Sequence, residues 1–152
     1  MRYDPAMDLQ RFFPYRLAVL AEAVSLATAQ VYNERFDLTR DEWRVLAALA
    51  ERGEVKTAEV LAHTTLDKMR VSRALARMES SELVARAPDP ADGRGQLVRL
   101  TAMGKALYRK VVPMVQAREQ YLLEALEPAE RELLGAAMDK VLERARQLAR
   151  QG

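Results

Sequence analysis

Residues 56–101 read KTAEVLAHTTLDKMRVSRALARMESSELVARAPDPADGRGQLVRLT. Two short segments with helical spacing of apolar residues open the stretch, Thr57 to Ala62 and Asp67 to Glu79, separated by a threonine-rich turn. A short apolar run (Leu83, Val84), a loop rich in Asp, Pro and Gly, and a second run (Leu97, Val98, Leu100) follow. Helix, turn, helix and then a two-stranded hairpin is the element order of a winged helix-turn-helix. The segments before and after it read as helices that hold this unit in place.

The second helix carries the sharpest signal. At 100° per residue, Val71, Leu75 and Met78 share one narrow stripe with Ala74 at its edge. The opposite face carries Met69, Ser72, Arg73, Ala76 and Arg77. Ser72 can offer a hydroxyl to a phosphate or base edge, Arg73 can reach a guanine edge bidentately, and Arg77 can neutralise a phosphate one turn later. The small Ala76 lets the helix sit close to a groove. Asp67 is the expected N-cap, with Lys68 and Arg70 in the first turn. Cations there oppose the helix dipole, a placement that makes sense when a polyanion is the partner. The plain alternative is an amphipathic helix with a solvated basic side.

The loop from Arg86 to Gln96 has turn formers at almost every position. Its flanks, Glu82 to Arg86 and Gln96 to Leu100, are too short to stand alone and are predicted to pair as hairpin strands. That places Arg94 at the tip between Gly93 and Gly95, free to project. Narrow minor grooves concentrate negative potential and attract such arginines. Asp92 is expected to support the wing by pairing with Arg94 or Arg86; the bland reading of Arg94 is a solvated loop charge.

On these residues the chain resembles the MarR family of winged helix-turn-helix transcriptional regulators. The resemblance rests on Leu38-Thr39 before a helix with Trp43 and Leu46, on Lys56-Thr57, and on Asp67-Lys68 with Val71-Ser72-Arg73. It continues through Arg86, Asp89-Pro90, Asp92 and Arg94 in the wing, then Leu100-Thr101 with Gly104 at the start of the next helix. Two departures stand out: Glu82 where the family usually has glycine before the first wing strand, and Gly93 where arginine is common. The resemblance implies a dimeric DNA-binding protein, most often a repressor. It also implies release from DNA by a small phenolic or aromatic-acid effector bound between the dimerisation helices and the winged unit. Tyr15, Arg16, Trp43, His63 and Met69 are the candidates for that cleft.

Bulk composition narrows the classes without choosing one. The 152 residues are one domain in length, enough to bury roughly two-thirds of the unfolded surface. Apolar content is 49% and charged content 30%, an ordinary globular balance. The net charge of +2 is too small to announce a nucleic-acid partner, but Lys68 to Arg77 holds four basic residues and no acid. Absence of cysteine removes disulfides and thiol switches, and a single histidine cannot assemble a zinc site, so no metal or cofactor is expected. No apolar run is long enough to span a membrane and no secretory signal is legible, so a cytoplasmic protein with no membrane partner is expected. No nucleophile–base pair or carboxylate pair nominates an enzyme.

The remaining chain reads as helices. Residues 1–8 are expected to be a loose leader, and Leu9 to about Asn33 one broadly apolar helix, with Pro14 near its regular start. Phe36-Asp37-Leu38 is a linker, Thr39 caps the next helix, and Gly53 ends it. A short third strand is expected near Val55. Thr101 caps a long helix toward Leu126 in which Pro113 is expected to kink or divide the pattern. Glu127-Pro128-Ala129-Glu130 restarts a last helix with a stripe through Leu133, Leu134, Ala137, Met138, Val141, Leu142, Ala145 and Leu148. A stripe that long, with no partner evident in the chain, predicts a homodimer, in which two recognition helices read a palindrome.

The expected fold is therefore mainly α (α+β): dimerisation helices at 9–35 and 101–152 around a winged helix-turn-helix at 36–100, forming one compact domain overall. The expected function is a homodimeric sequence-specific DNA-binding regulator, a repressor released from a palindromic operator by a small aromatic or phenolic ligand. Lys68, Arg70, Ser72, Arg73, Arg77 and Arg94 are the expected contacts to double-stranded DNA, with Asp92 and Arg86 supporting the wing. The alternative is a protein-interaction module that keeps the winged helix and has lost DNA binding.

Overall fold

The computed structural model describes residues 6–152, so most of the expected leader lies outside the described residues. A 3-10 turn at Leu9–Arg11 precedes α1 (Phe13–Ala29), with Pro14 in its first turn, as its fixed φ favours. The single helix expected to run to Asn33 instead stops at Ala29. A separate helical turn, α2 (Asn33–Phe36), ends on Asp37 in the left-handed conformation at φ 52°. α3 (Arg40–Arg52) begins at Thr39, whose hydroxyl accepts the Glu42 N–H at 3.1 Å, and ends on Gly53 at φ 75°. β1 (Val55–Lys56), α4 (Thr57–Ala62) and α5 (Lys68–Ser80) follow, then β2 (Val84–Asp89), β3 (Asp92–Leu100), α6 (Ala102–Leu123) and α7 (Pro128–Gln151).

The three strands form one antiparallel sheet in the order β1-β3-β2, so the expected third strand is present as an edge against β3. The hairpin is longer than the sequence suggested. Strand pairing continues to Asp89 opposite Asp92, leaving a two-residue turn of Pro90 and Ala91. Arg94 therefore lies on β3, exposed, and the tip belongs to Pro90-Ala91. The polar, Gly-rich composition concealed the pairing because main-chain ladder bonds do not require apolar side chains.

α6 is continuous through Pro113 and is not divided there. The chain forms two compact units whose boundary falls at Val115–Gln116, inside α6. The unit up to Val115 contains the core: Val45, Leu46 and Leu49 from α3, Val60 from α4, Leu75 and Met78 from α5, Val98 from β3 and Val111 from α6. Full burial of each such side chain favours folding by about 1.5–3 kcal/mol. The unit from Gln116 to Gly152 contains α7, where Glu127 and Glu130 form a reciprocal capping box and Pro128 opens the helix. α7 buries none of its residues.

The junction between α5, β2 and α6 is built on one left-handed residue. The Leu83 N–H donates to the Met78 carbonyl at 2.8 Å and the Glu82 N–H to the Glu79 carbonyl at 3.0 Å. This is a Schellman ending, and Glu82 occupies the position that favours glycine, at φ 63°. The Glu82 carbonyl then accepts the Thr101 hydroxyl at 2.6 Å, and the Leu83 carbonyl accepts the Thr101 N–H at 3.0 Å. Thr101 in turn caps α6 by accepting the Gly104 N–H at 3.0 Å. A Cβ at residue 104 would stand 2.2 Å from the Leu83 carbonyl oxygen, so only glycine fits.

Two stability changes follow. Alanine normally stabilises a helix over glycine by about 1 kcal/mol; Gly104→Ala is expected to reverse that sign and destabilise by roughly 1–3 kcal/mol, read as a lower urea midpoint. A left-handed non-glycine residue costs about 1–2 kcal/mol, partly offset in a glycine variant by greater unfolded-state freedom. Glu82→Gly should therefore raise the midpoint slightly and Glu82→Val lower it, checked in the same urea titration.

Candidate nucleic-acid interface

α5 is anchored by its apolar side and by charge. The Asp67 carboxylate accepts the Arg70 N–H at 2.8 Å and caps the helix. Val71, Ala74, Leu75 and Met78 are buried, as the 3.6-residue periodicity predicted. Lys68, Met69, Ser72, Arg73, Ala76 and Arg77 are left on the exposed side.

The cations of this helix divide into two sets. Arg70 grips Asp41 of α3 in a bidentate pair, Nε at 3.0 Å and Nη2 at 2.6 Å. Asp41, by hydrogen bonding first and by charge second, raises the Arg70 pKa further above its ordinary value, so this guanidinium is a permanent cation. Arg77 places Nε 3.4 Å from Oε1 of Glu42, a carboxylate that is only 3% exposed. The same Glu42 oxygen accepts the Thr39 hydroxyl at 3.0 Å. Arg70 and Arg77, two of the four arginines expected at DNA, are thus ties between α3 and α5. Arg73 is in the second set: its Nη2 lies 3.2 Å from the Met69 sulfur, a weak acceptor. The Lys68 and Ser72 side chains have no hydrogen bond or ion pair among the described residues.

Asp41 and Glu42 stand in the first turn of α3, where acidic side chains favour a helix. The Thr39-x-x-Glu42 spacing is a capping-box signal that foretells the turned-back glutamate, but no local pattern foretells its partner Arg77, which is brought in by packing.

In the wing, Asp92 supports the turn through the main chain: its Oδ1 accepts the Arg94 N–H at 3.1 Å. The expected pairing of Asp92 with an arginine side chain is replaced by two other contacts. Arg86, largely buried, sets Nε 3.7 Å from Glu79 near the end of α5. Asp89, 6% exposed, accepts the Ala91 N–H at 2.9 Å, and its other oxygen lies 3.6 Å from Nζ of Lys56 on β1. Both ion pairs are longer than a hydrogen bond. The Arg94 guanidinium has no partner among the described residues.

Trp43 and His63 meet in an open cleft of about 550 Å³ lined also by Arg44, Ala47, Ala48, Glu51, Ala62, Thr64 and Thr65. Tyr15, Arg16 and Met69 do not line it. Tyr15 is half-buried and Arg16 exposed on α1, while Met69 is exposed on α5. The cation beside Trp43 is Arg44, missed in the sequence because neither its helix position nor its charge distinguishes it from solvated neighbours. Trp43 stacks on Tyr32 at 5.4 Å and on Tyr108 at 5.9 Å. Burial pushes the Tyr32 phenol above its ordinary pKa, against the opposing pull of Arg44 and Arg40, so it stays neutral. Among the described residues no group of three or more His, Cys, Asp or Glu is placed to hold a metal ion, and no helix is long and apolar enough to cross a membrane.

Comparison with known proteins agrees with this architecture. A MarR-family profile matches residues 36–95, the span from α2 to the wing. The transcriptional regulator HosA of Escherichia coli O111:H- is 30% identical over 115 residues, covering 76% of this chain and 85% of HosA. The transcriptional repressor NicR of Pseudomonas putida is 30% identical over 115 residues, covering 74% of this chain and 73% of NicR. The structure of Bordetella bronchiseptica BpsR, whose DNA binding is regulated by 6-hydroxynicotinic acid, superposes with a TM-score of 0.80 at 28% identity, covering 91% of this chain and 97% of BpsR. The helix-turn-helix, its wing and these likenesses, which extend well beyond the DNA-reading segment, have one common explanation: the chain belongs to the MarR family of transcriptional regulators.

Proposed function

We infer that this chain is a homodimeric regulator that reads a palindromic operator sequence-specifically and represses until a small aromatic or phenolic compound releases it. The observation that carries the reading is the outward face of α5. Lys68, Ser72, Arg73 and Ala76 are exposed on a helix whose other side is buried and whose flanks are clamped to α3. A rigid helix presenting two long cations, a hydroxyl and a small residue suits a major groove. Arg94 on the wing supplies a further cation for the minor groove or backbone. Arg70 and Arg77 keep their charge near the same surface and add to its attraction for phosphate while fixing the helix.

Dimerisation is supported by what a single copy leaves uncovered. Leu17, Leu20 and Leu26 on α1 and Leu133, Met138 and Leu148 on α7 are each between 48% and 69% exposed. Apolar faces of that extent need a cover, and a two-fold axis would pair recognition helices for a palindrome. The Trp43–His63 cleft, with an aromatic wall and the Arg44 cation, suits a small aromatic acid or phenol. NicR is a repressor and BpsR answers to a hydroxylated aromatic acid, which supports both halves of the reading. The competing reading, a winged-helix protein-interaction module, draws on one observation: two of the four cations of α5 already have carboxylate partners.

Selection of random duplexes by the purified protein, with Arg73→Ala in parallel, tests the main reading. Enrichment of a palindrome by the wild type and its loss in the variant is the expected result; no enrichment at low salt moves the protein-interaction reading to first place. On the selected operator, Arg73→Ala should weaken binding by about 1–3 kcal/mol with an unchanged melting temperature. Arg77→Ala should instead lower stability by about 1–3 kcal/mol, because it strips the buried Glu42 of its cation. Saturation by an aromatic acid with no change in operator affinity would remove the effector from the proposal.

A further inference from the structure

The chain holds no cysteine, so its only sulfur is in its seven methionines. Met69 stands out among them by place and by partner. It is the second residue of α5, 62% exposed, on the side that also carries Lys68, Ser72 and Arg73. A helical side chain leans back over the preceding turn, so the residue four positions on lies against it. Arg73 accordingly donates through Nη2 to the Met69 sulfur at 3.2 Å. A second arginine–thioether contact, Arg35 with Met114, is longer at 3.9 Å and joins α2 to α6, away from α5.

A thioether is a weak acceptor, and its hold on Arg73 is given up when a guanine edge or a phosphate is offered. Oxidation reverses that balance. A two-electron oxidant of the peroxide or hypohalous-acid class delivers one oxygen atom to the sulfur. With hydrogen peroxide, the sulfur lone pair attacks one peroxide oxygen, the O–O bond breaks and an S–O bond forms. The sulfur loses two electrons and the peroxide gains them. The proton on the transferred oxygen leaves with the departing hydroxide as water. The product is a polar sulfoxide, whose oxygen accepts a charge-assisted hydrogen bond from a guanidinium, about twice as strong as a neutral one.

We propose that Met69 is a modification site: oxidation to the sulfoxide locks Arg73 onto its own helix and withdraws it from DNA. The consequence for DNA rests on the reading of α5 as the helix that contacts it. Arg70 and Arg77 do not replace the lost contact, because Asp41 and Glu42 hold them. The outward face thus loses the one arginine of α5 that has no carboxylate partner among the described residues. Reduction of the sulfoxide restores the thioether and frees Arg73. Such a chain answers a two-electron oxidant without a thiol.

The test treats the full chain with hydrogen peroxide, locates added oxygen by peptide mass spectrometry, and measures affinity for the selected duplex before and after by fluorescence anisotropy at low salt. Each variant is scored by the ratio of its own two affinities, so effects of a substitution on the untreated protein cancel. The wild type is expected to lose about tenfold or more, the competition of one charge-assisted hydrogen bond, and to regain it with methionine sulfoxide reductases. Met69→Leu should keep a ratio near one while Met7, Met103 and Met138, each more than half exposed, are still oxidised. Arg73→Ala should also keep a ratio near one, since its sulfoxide has no guanidinium to hold. Loss in either variant equal to that of the wild type, an unoxidised Met69, or undiminished affinity with Met69 oxidised would each overturn the assignment. A further arm needs no DNA: phenylglyoxal, which modifies arginine, should label Arg73 more slowly in the oxidised wild type, and equal rates would overturn the sulfoxide–guanidinium contact. If the untreated protein binds no duplex, it is the DNA reading that fails, and the labelling of Arg73 still decides what the Met69 sulfoxide holds.

Discussion

The Leu83 carbonyl is the point through which α5, the wing and α6 are held in register. It accepts the first N–H of the Thr101 turn, and it presses so close to Gly104 that no side chain can stand there. One residue earlier, Glu82 takes a left-handed turn that lets α5 end and β2 begin within two residues, and its carbonyl holds the Thr101 hydroxyl. Buried main-chain groups must find partners, and here the partners for a helix end and a helix start are supplied by each other. The direction of the wing relative to α5, and of α6 relative to both, is thus set by a few main-chain contacts. The apolar core fills in around them.

Charge is used in two ways on the same helix. Arg70 and Arg77 face carboxylates on α3, one half-buried and one nearly sealed from solvent, and so fix the helix laterally. Arg73, Lys68 and Ser72 remain without carboxylate partners and are available to something outside the chain. A solvent-accessible pair such as Arg70–Asp41 contributes little to stability alone, but a pair that includes a buried carboxylate cannot lose its cation without penalty. The arrangement trades some of the positive charge that attracts a polyanion for a defined angle of approach.

Much of this was legible in the sequence, for reasons that differ by element. The core stripe Val71, Leu75, Met78 was fixed by periodicity, and Gly53, Thr39 and Asp67 by capping chemistry that acts within one turn. Glu82 was identifiable as the anomalous residue before β2, and its positive φ shows that the chain keeps the turn and tolerates the side chain. The wing tip was misplaced because Asp, Pro and Gly mark a turn somewhere in an eleven-residue stretch without saying which two residues make it. The break after Ala29 was hidden because no glycine or proline marks it. What no local pattern contained was pairing at a distance: Arg77 with Glu42, and Lys56 with Asp89.

α7 has a further consequence. Its twenty-four residues carry a capping box and a proline start, yet none is buried. Local propensity and caps contribute a few kcal/mol at most to a helix of this length, and most helical stability in proteins comes from an apolar face that is covered. The folding of that segment is therefore coupled by mass action to whatever covers it. If a second copy does so, the melting temperature becomes a function of protein concentration, and dilution alone moves the chain toward its less ordered form. A regulator built this way senses its own abundance: at low copy number it loses the dimer, and the paired reading heads with it, before any effector arrives.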